Sequence, residues 1–195
     1  KMKKLLLTFI MTFTVLINVN AQQWIENPSC NKKAFAIVNE AITSLSNLEY
    51  LMAVGMAKAA LVVDKDCECA KLVMVAAAGN NANSGSRSEK LKSINVNSLS
   101  DVEKVWHKLL STSNKDFEEA AKKALNNYPN SPLINWLNTG QDMESHKAFS
   151  QKFPLLAAGS YNMMAYGYAR DRDFESAYKS LDNSLRLHDG PNVSD

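Results

Sequence analysis

From position 31 onward, apolar side chains recur at intervals of three and four residues, the spacing that lines one face of an α-helix. β-branched runs such as Val62-Val63 are too brief to read as strands. The pattern therefore predicts an all-α domain. Its first helix is expected from Asn31 or Lys32 to Leu45, with Phe35, Val38, Ala41, Ile42 and Leu45 on one stripe. Asn47 is expected to cap a second helix, whose Leu51, Val54, Lys58 and Leu61 alternate with a seam of small residues at Ala53, Ala57 and Ala60. After Asp64-Lys65-Asp66, a third helix runs from Asp66 or Cys67 to Ala78 and stops at Gly79-Asn80-Asn81, residue types that tolerate positive φ.

Residues 79 to 86, rich in Asn, Ser, Gly and Ala, read as a loop before a short helix from Ser88 to Ile94. Ser98 or Ser100 caps the next helix, which carries Val102, Val105, Trp106, Leu109 and Leu110 on a buried stripe. Ser111 to Lys115 is a turn. Asp116 to Asn127 is then helical up to Tyr128-Pro129, Pro132 opens a brief helix through Ile134, Trp136 and Leu137, and Thr139-Gly140 ends it. Met143 to Lys152 follows, stopped by Phe153-Pro154. Two amphipathic helices joined by a polar turn then fill Tyr161 to Leu187.

The N-terminus reads differently. Lys1-Met2-Lys3-Lys4 precedes an apolar and threonine stretch from Leu5 to Ile17, and Val19-Asn20-Ala21 places small residues where a signal peptidase needs them. The stretch is shorter than the ~20 residues that span a bilayer. Residues 1 to 21 are therefore expected to be a signal peptide cleaved after Ala21, leaving one domain over 22 to 195, exported and without stable membrane insertion. Cleavage removes Lys1, Lys3 and Lys4, so 19 of the 22 basic residues remain against 20 acidic ones. No basic block survives, and nucleic-acid binding has no electrostatic footprint.

Export changes the reading of Cys30, Cys67 and Cys69. In an oxidising compartment Cys30 pairs with Cys67 or Cys69, or at least one of the three is simply a small buried hydrophobe. Cys67-Glu68-Cys69 lacks the spacing of a zinc site. The three histidines, His107, His146 and His188, fall in no metal-binding or catalytic spacing and are expected on solvated or partly packed helix faces. There is no Gly-x-Ser-x-Gly and no phosphate-binding glycine loop. No catalytic residue, metal or cofactor is expected. Trp106, Trp136 and the methionines Met52, Met56, Met74, Met163 and Met164 read as core, while Trp24 is expected either exposed or docked on the first helix pair.

Tyr161, Met164, Ala165 and Tyr168 stand where tetratricopeptide repeats carry Trp, Leu, Gly and Tyr, and Asp173-Phe174-Glu175-Ser176-Ala177 stands where they turn and place the small residue of their second helix. Ala53, Ala57, Ala60-Leu61 and Asp64, and again Ala121, Ala124-Leu125 and Tyr128-Pro129, resemble such second helices and their stops. The chain thus resembles the tetratricopeptide-repeat family of exported bacterial type. That resemblance implies a superhelix of four to five helix pairs over residues 31 to 195, located in the periplasm or outside the cell, binding a peptide or protein segment in its concave groove. On the groove-lining helix of the last pair, Asn162, Tyr166 and Arg170 share a face at i, i+4, i+8, and an amide, a phenol and a guanidinium together can hold a peptide backbone or carboxylate. Two other readings stand beside it: an enzyme or small-ligand receptor with a site between helix pairs, and a structural segment of a larger envelope assembly. Pro191-Asn192-Val193-Ser194-Asp195 resembles the turn into another helix, so the chain is expected to be truncated and to stack on further repeats.

Overall fold

The computed structural model describes residues 22–78, 84–140 and 142–190. The expected signal peptide, the helix stop at Gly79-Asn80-Asn81 and the turn at Pro191 lie outside them. Among the described residues there are ten α-helices, two short 3-10 segments and no strand. The helices are α1 (Lys32–Ser46), α2 (Tyr50–Val63), α3 (Glu68–Ala77), α4 (Ser84–Lys92), α5 (Asp101–Ser111), α6 (Asn114–Asn127), α7 (Pro132–Trp136), α8 (Met143–Lys152), α9 (Ala158–Arg170) and α10 (Phe174–Leu187). The chain is all-α. No helix among the described residues is long and apolar enough to cross a membrane.

Local chemistry explains most boundaries. Asn31 caps α1 by accepting from the Lys33 and Ala34 N–H groups. At α5, Ser100 and Glu103 form a reciprocal capping box. Asp142 and Asp173 cap α8 and α10 through the Ser145 and Ser176 N–H groups, and the hydroxyls of those serines, together with the N–H groups, hold both carboxyls below the usual carboxylate range. Asn47 departs from expectation, because it ends α1 instead of starting α2. Leu48 behind it adopts φ 65°, and the Leu48 and Glu49 N–H groups return to the Leu45 and Ser44 carbonyls, a turn that leaves Glu49 at the head of α2 with no side-chain cap. Three other helices start earlier than their stripes suggested: α4 at Ser84, α6 at Asn114 and α9 at Ala158.

Consecutive helices pack along the chain: α1 with α2 as an antiparallel hairpin, then α3, α5 and α6, then α7, α8 and α9, with α9 and α10 as a second hairpin. In a solenoid each unit touches its sequence neighbours only. Here the last hairpin also lies against the first, α9 on α1. Gly159 makes that approach possible, since a Cβ there would collide with the Ser46 carbonyl. Farther along the same contact, His188 Nε2 lies 2.8 Å from Glu49 Oε2.

The N-terminal segment fills the interior between these walls. Trp24 and Ile25 are fully buried. The Trp24 indole N–H donates to Thr43 of α1, its ring meets Trp136 edge-on and stacks on Phe149, and its carbonyl accepts from Leu133 N–H. Of the two expectations for Trp24, docking holds, and its partners include α7 and α8 as well as the first pair. A disulfide joins Cys30 to Cys67, while Cys69 is a buried free thiol. Closing a loop of 37 residues in sequence separation restricts the unfolded chain enough to stabilise the fold by about 3–4 kcal/mol in the chain-entropy picture.

Candidate functional site

Helix geometry separates the three side chains grouped on α9. Four residues turn an α-helix by slightly more than one revolution, so positions i, i+4 and i+8 drift steadily around the axis. Asn162 is 2% exposed, its Oδ1 has no hydrogen-bond partner, and it sits among buried residues. Tyr166 is 53% exposed, and Arg170 is in solvent with its guanidinium 3.5 Å from Asp171. The amide faces the interior while the phenol and guanidinium face out. The three do not form one binding surface.

The histidines occupy three different settings. His107 Nε2 is 3.4 Å from the Leu91 carbonyl. His188 meets Glu49, as above. His146 is buried, contrary to expectation, with Nδ1 3.2 Å from Ser160 Oγ. Burial lowers its pKa from the ordinary 6.5, outweighing the Gly140 carbonyl and the Asp142 carboxylate, which favour the charged ring. Two surface clefts are lined by other residues: one of about 250 Å³ beside Glu26, Asn127, Tyr128 and Asn130, and one of about 180 Å³ between Asn135 and Lys152. No group of three potential metal ligands gathers among the described residues.

The surface that stands out chemically is the outer side of α2. Its buried face is the alanine seam alone, Ala53, Ala57 and Ala60, whose small side chains let α2 lie close on α1. Val54, Met56 and Leu61 are half-buried beside it, and the other large apolar residues are left outside. Leu51 is 90% and Val62 88% exposed, and Leu48, Tyr50, Met52 and Val63 are each more than a third exposed. Gly55 sits in the middle of this face with open space above it. Lys58 is the only charged residue of the helix. Met52, expected in the core, belongs to this exposed set. The sequence carried a signal for the face: α2 is apolar nearly all round, and a helix with a narrow alanine seam can bury only that side.

Compared with known protein families, with curated proteins and with solved structures, the chain matches none.

Proposed function

We propose that this chain is an exported, non-enzymatic module of tetratricopeptide-like helix pairs that binds a segment of a partner protein, and that α2 supplies the binding face. The observation that carries the reading is the exposure of Leu51 and Val62, three helical turns apart, on a face with a single charge. Soluble chains seldom leave a contiguous apolar surface uncovered without an interaction to serve. The segment this face fits is apolar, with a carboxylate placed to meet Lys58, because an ammonium group covered by apolar matter loses its hydration with nothing in return. Binding in a concave groove has less support, since Trp24 and Ile25 of the chain itself fill the interior.

The test is retention of envelope proteins on immobilised residues 22–195. Leu51→Glu and Val62→Glu should each weaken retention at least tenfold without changing thermal unfolding, because both side chains are exposed, whereas Tyr166→Ala and Arg170→Ala should leave it within twofold. Equal retention by all four variants would sink the proposal. One observation favours the reading as a segment of a larger assembly: Phe174, Tyr178 and Leu185 of α10 form a second exposed apolar stripe. Such a stripe suits stacking on another helix pair.

A further inference from the structure

Three cysteines and one buried carboxylate meet where the N-terminal segment crosses α3 and α5. Glu103 is fully buried on the first turn of α5. Its carboxylate accepts from Ser29 N–H at 3.0 Å, from Ser29 Oγ at 3.1 Å and from Ser100 N–H at 2.7 Å. Ser29 Oγ in turn accepts from Cys69 N–H at 3.1 Å, which caps the start of α3 from outside the helix. Ser29 immediately precedes Cys30, and Cys69 lies two residues beyond Cys67. Both candidate partners of Cys30 are therefore carried by the same helix terminus, and the sequence alone leaves the choice between them open.

We propose that Glu103 makes that choice, selecting Cys67 over Cys69 as the disulfide partner of Cys30. Two effects act together. Through Ser29 the carboxylate fixes the backbone that presents the Cys30 sulfur to Cys67. Burial, together with the neighbouring Glu103 carboxylate, also raises the Cys69 thiol's pKa well above its ordinary value, so little thiolate forms. The competing step is thiol–disulfide exchange: a Cys69 thiolate attacks the Cys30 sulfur, the Cys30–Cys67 bond breaks as Cys30–Cys69 forms, and Cys67 leaves as the thiolate and takes up the proton that Cys69 lost. Sulfur oxidation states are unchanged in sum, so no external oxidant is consumed. Glu103 suppresses this step by withholding the nucleophile.

The experiment is refolding of residues 22–195 in a glutathione redox buffer, acid quenching, and mass-spectrometric mapping after cleavage at Glu68, which separates the two cysteines. Glu103→Gln keeps the shape and removes the charge. It should raise the Cys30–Cys69 fraction at least tenfold over the parent chain, and the pH at which exchange sets in should fall toward that of an ordinary thiol, about 8.5. A merely structural role would not move that pH profile. Glu103→Gln/Cys69→Ser can form only the Cys30–Cys67 bond, so it separates mispairing from misfolding. Recovery of the folded double variant where the single variant mispairs supports the proposal. A single variant that pairs Cys30 with Cys67 alone and keeps the parent's pH profile overturns it, as does a double variant that refolds no better than a single variant that fails.

Discussion

The first and last helix hairpins share a turn and differ in nearly everything built on it. In α1–α2 the turn is Asn47-Leu48-Glu49, and in α9–α10 it is Asp171-Arg172-Asp173. Leu48 and Arg172 both sit in the left-handed region, at φ 65° and 64°, and in both turns the two N–H groups that follow the helix cap bond back to the same relative carbonyls. Setting Leu48 against Arg172 aligns Ala53 with Ala177 and Ala60 with Ser184, all buried small residues on the second helix. The same alignment sets Leu51 against Glu175 and Val62 against Arg186. Arg186 pairs with Asp182 at 2.8 Å, so this part of the α10 surface carries an ion pair, beside its apolar stripe, where α2 has Lys58 alone among apolar residues. Val38 and Ile42, fully buried in α1, align with Asn162 and Tyr166 of α9. Repeated backbone geometry therefore fixes the hairpin and its seam, while the neighbours of each helix decide the chemistry of its remaining faces.

The largest expected effect breaks the comparison at the strut that only the first hairpin has. Trp24 is fully buried against Trp136 and Phe149 and bonds α1 through Thr43. Trp24→Ala should destabilise the fold by about 3–5 kcal/mol in urea unfolding, the cost of truncating a large core aromatic. A loss under 1 kcal/mol would mean that the segment only lies on the interior and does not hold it together.

Next come the aligned alanines. Ala53→Phe and Ala177→Phe each overfill a close helix contact and should cost about 1–3 kcal/mol. Ala53 has no exposure and Ala177 a little, so the first substitution should be the worse of the two. The reverse order in thermal unfolding would show that the first seam yields more readily than the second.

Acid acts on the last hairpin through His146, whose neighbour Ser160 lies on α9. The buried ring holds its pKa below 6.5, and on unfolding it regains its ordinary affinity and takes up a proton. The unfolded state thus binds more protons, so this contribution to stability is full above pH 6.5, declines as the pH falls below it, and levels off beneath the folded pKa. His146→Gln should flatten that part of the stability profile. The Asp142 and Asp173 caps, whose carboxyls are held low, should still lose their contribution at more acid pH. A parent and variant with parallel profiles would remove His146 as the cause.

The smallest effect concerns the shared turn. Arg172→Gly should stabilise by about 0.5 kcal/mol, since glycine removes the left-handed penalty at some cost in chain entropy. Leu48→Gly should gain less, because part of the Leu48 side chain is covered. Calorimetry resolves the pair, and destabilisation by both would show that the side chains contribute more than the strain costs.

How much could be read from the chain depended on how local the determinants are. Helix periodicity, the start of α1 at Lys32, the Ser100 cap and the Ala53/Ala57/Ala60 seam are written within single elements, and they appear where expected. Asn47 was ambiguous because asparagine serves either end of a helix, and Leu48 in a left-handed turn is not a residue that advertises a helix stop. The Asn162, Tyr166 and Arg170 grouping failed because a helix drifts over eight residues. The exposed face of α2 depended on which side α1 would cover, and the burial of Trp24 on helices more than a hundred positions away. The first is signalled within α2 by its apolar circumference and narrow alanine seam, whereas the second is not encoded near Trp24.

Trp24 has a consequence for the order of events as well as for the final fold. An all-helical chain ordinarily assembles fast because its contacts are close in sequence. Here Trp24 meets Asn39 through its backbone N–H and Thr43 through its indole early, but needs Leu133, Trp136 and Phe149 to complete its surroundings, and Gln22 Oε1 accepts from Leu155 N–H across 133 positions. Chains are made from the N-terminus. The first residues of this domain to appear are thus among the last to settle, and until α8 exists the interior has no lining on that side.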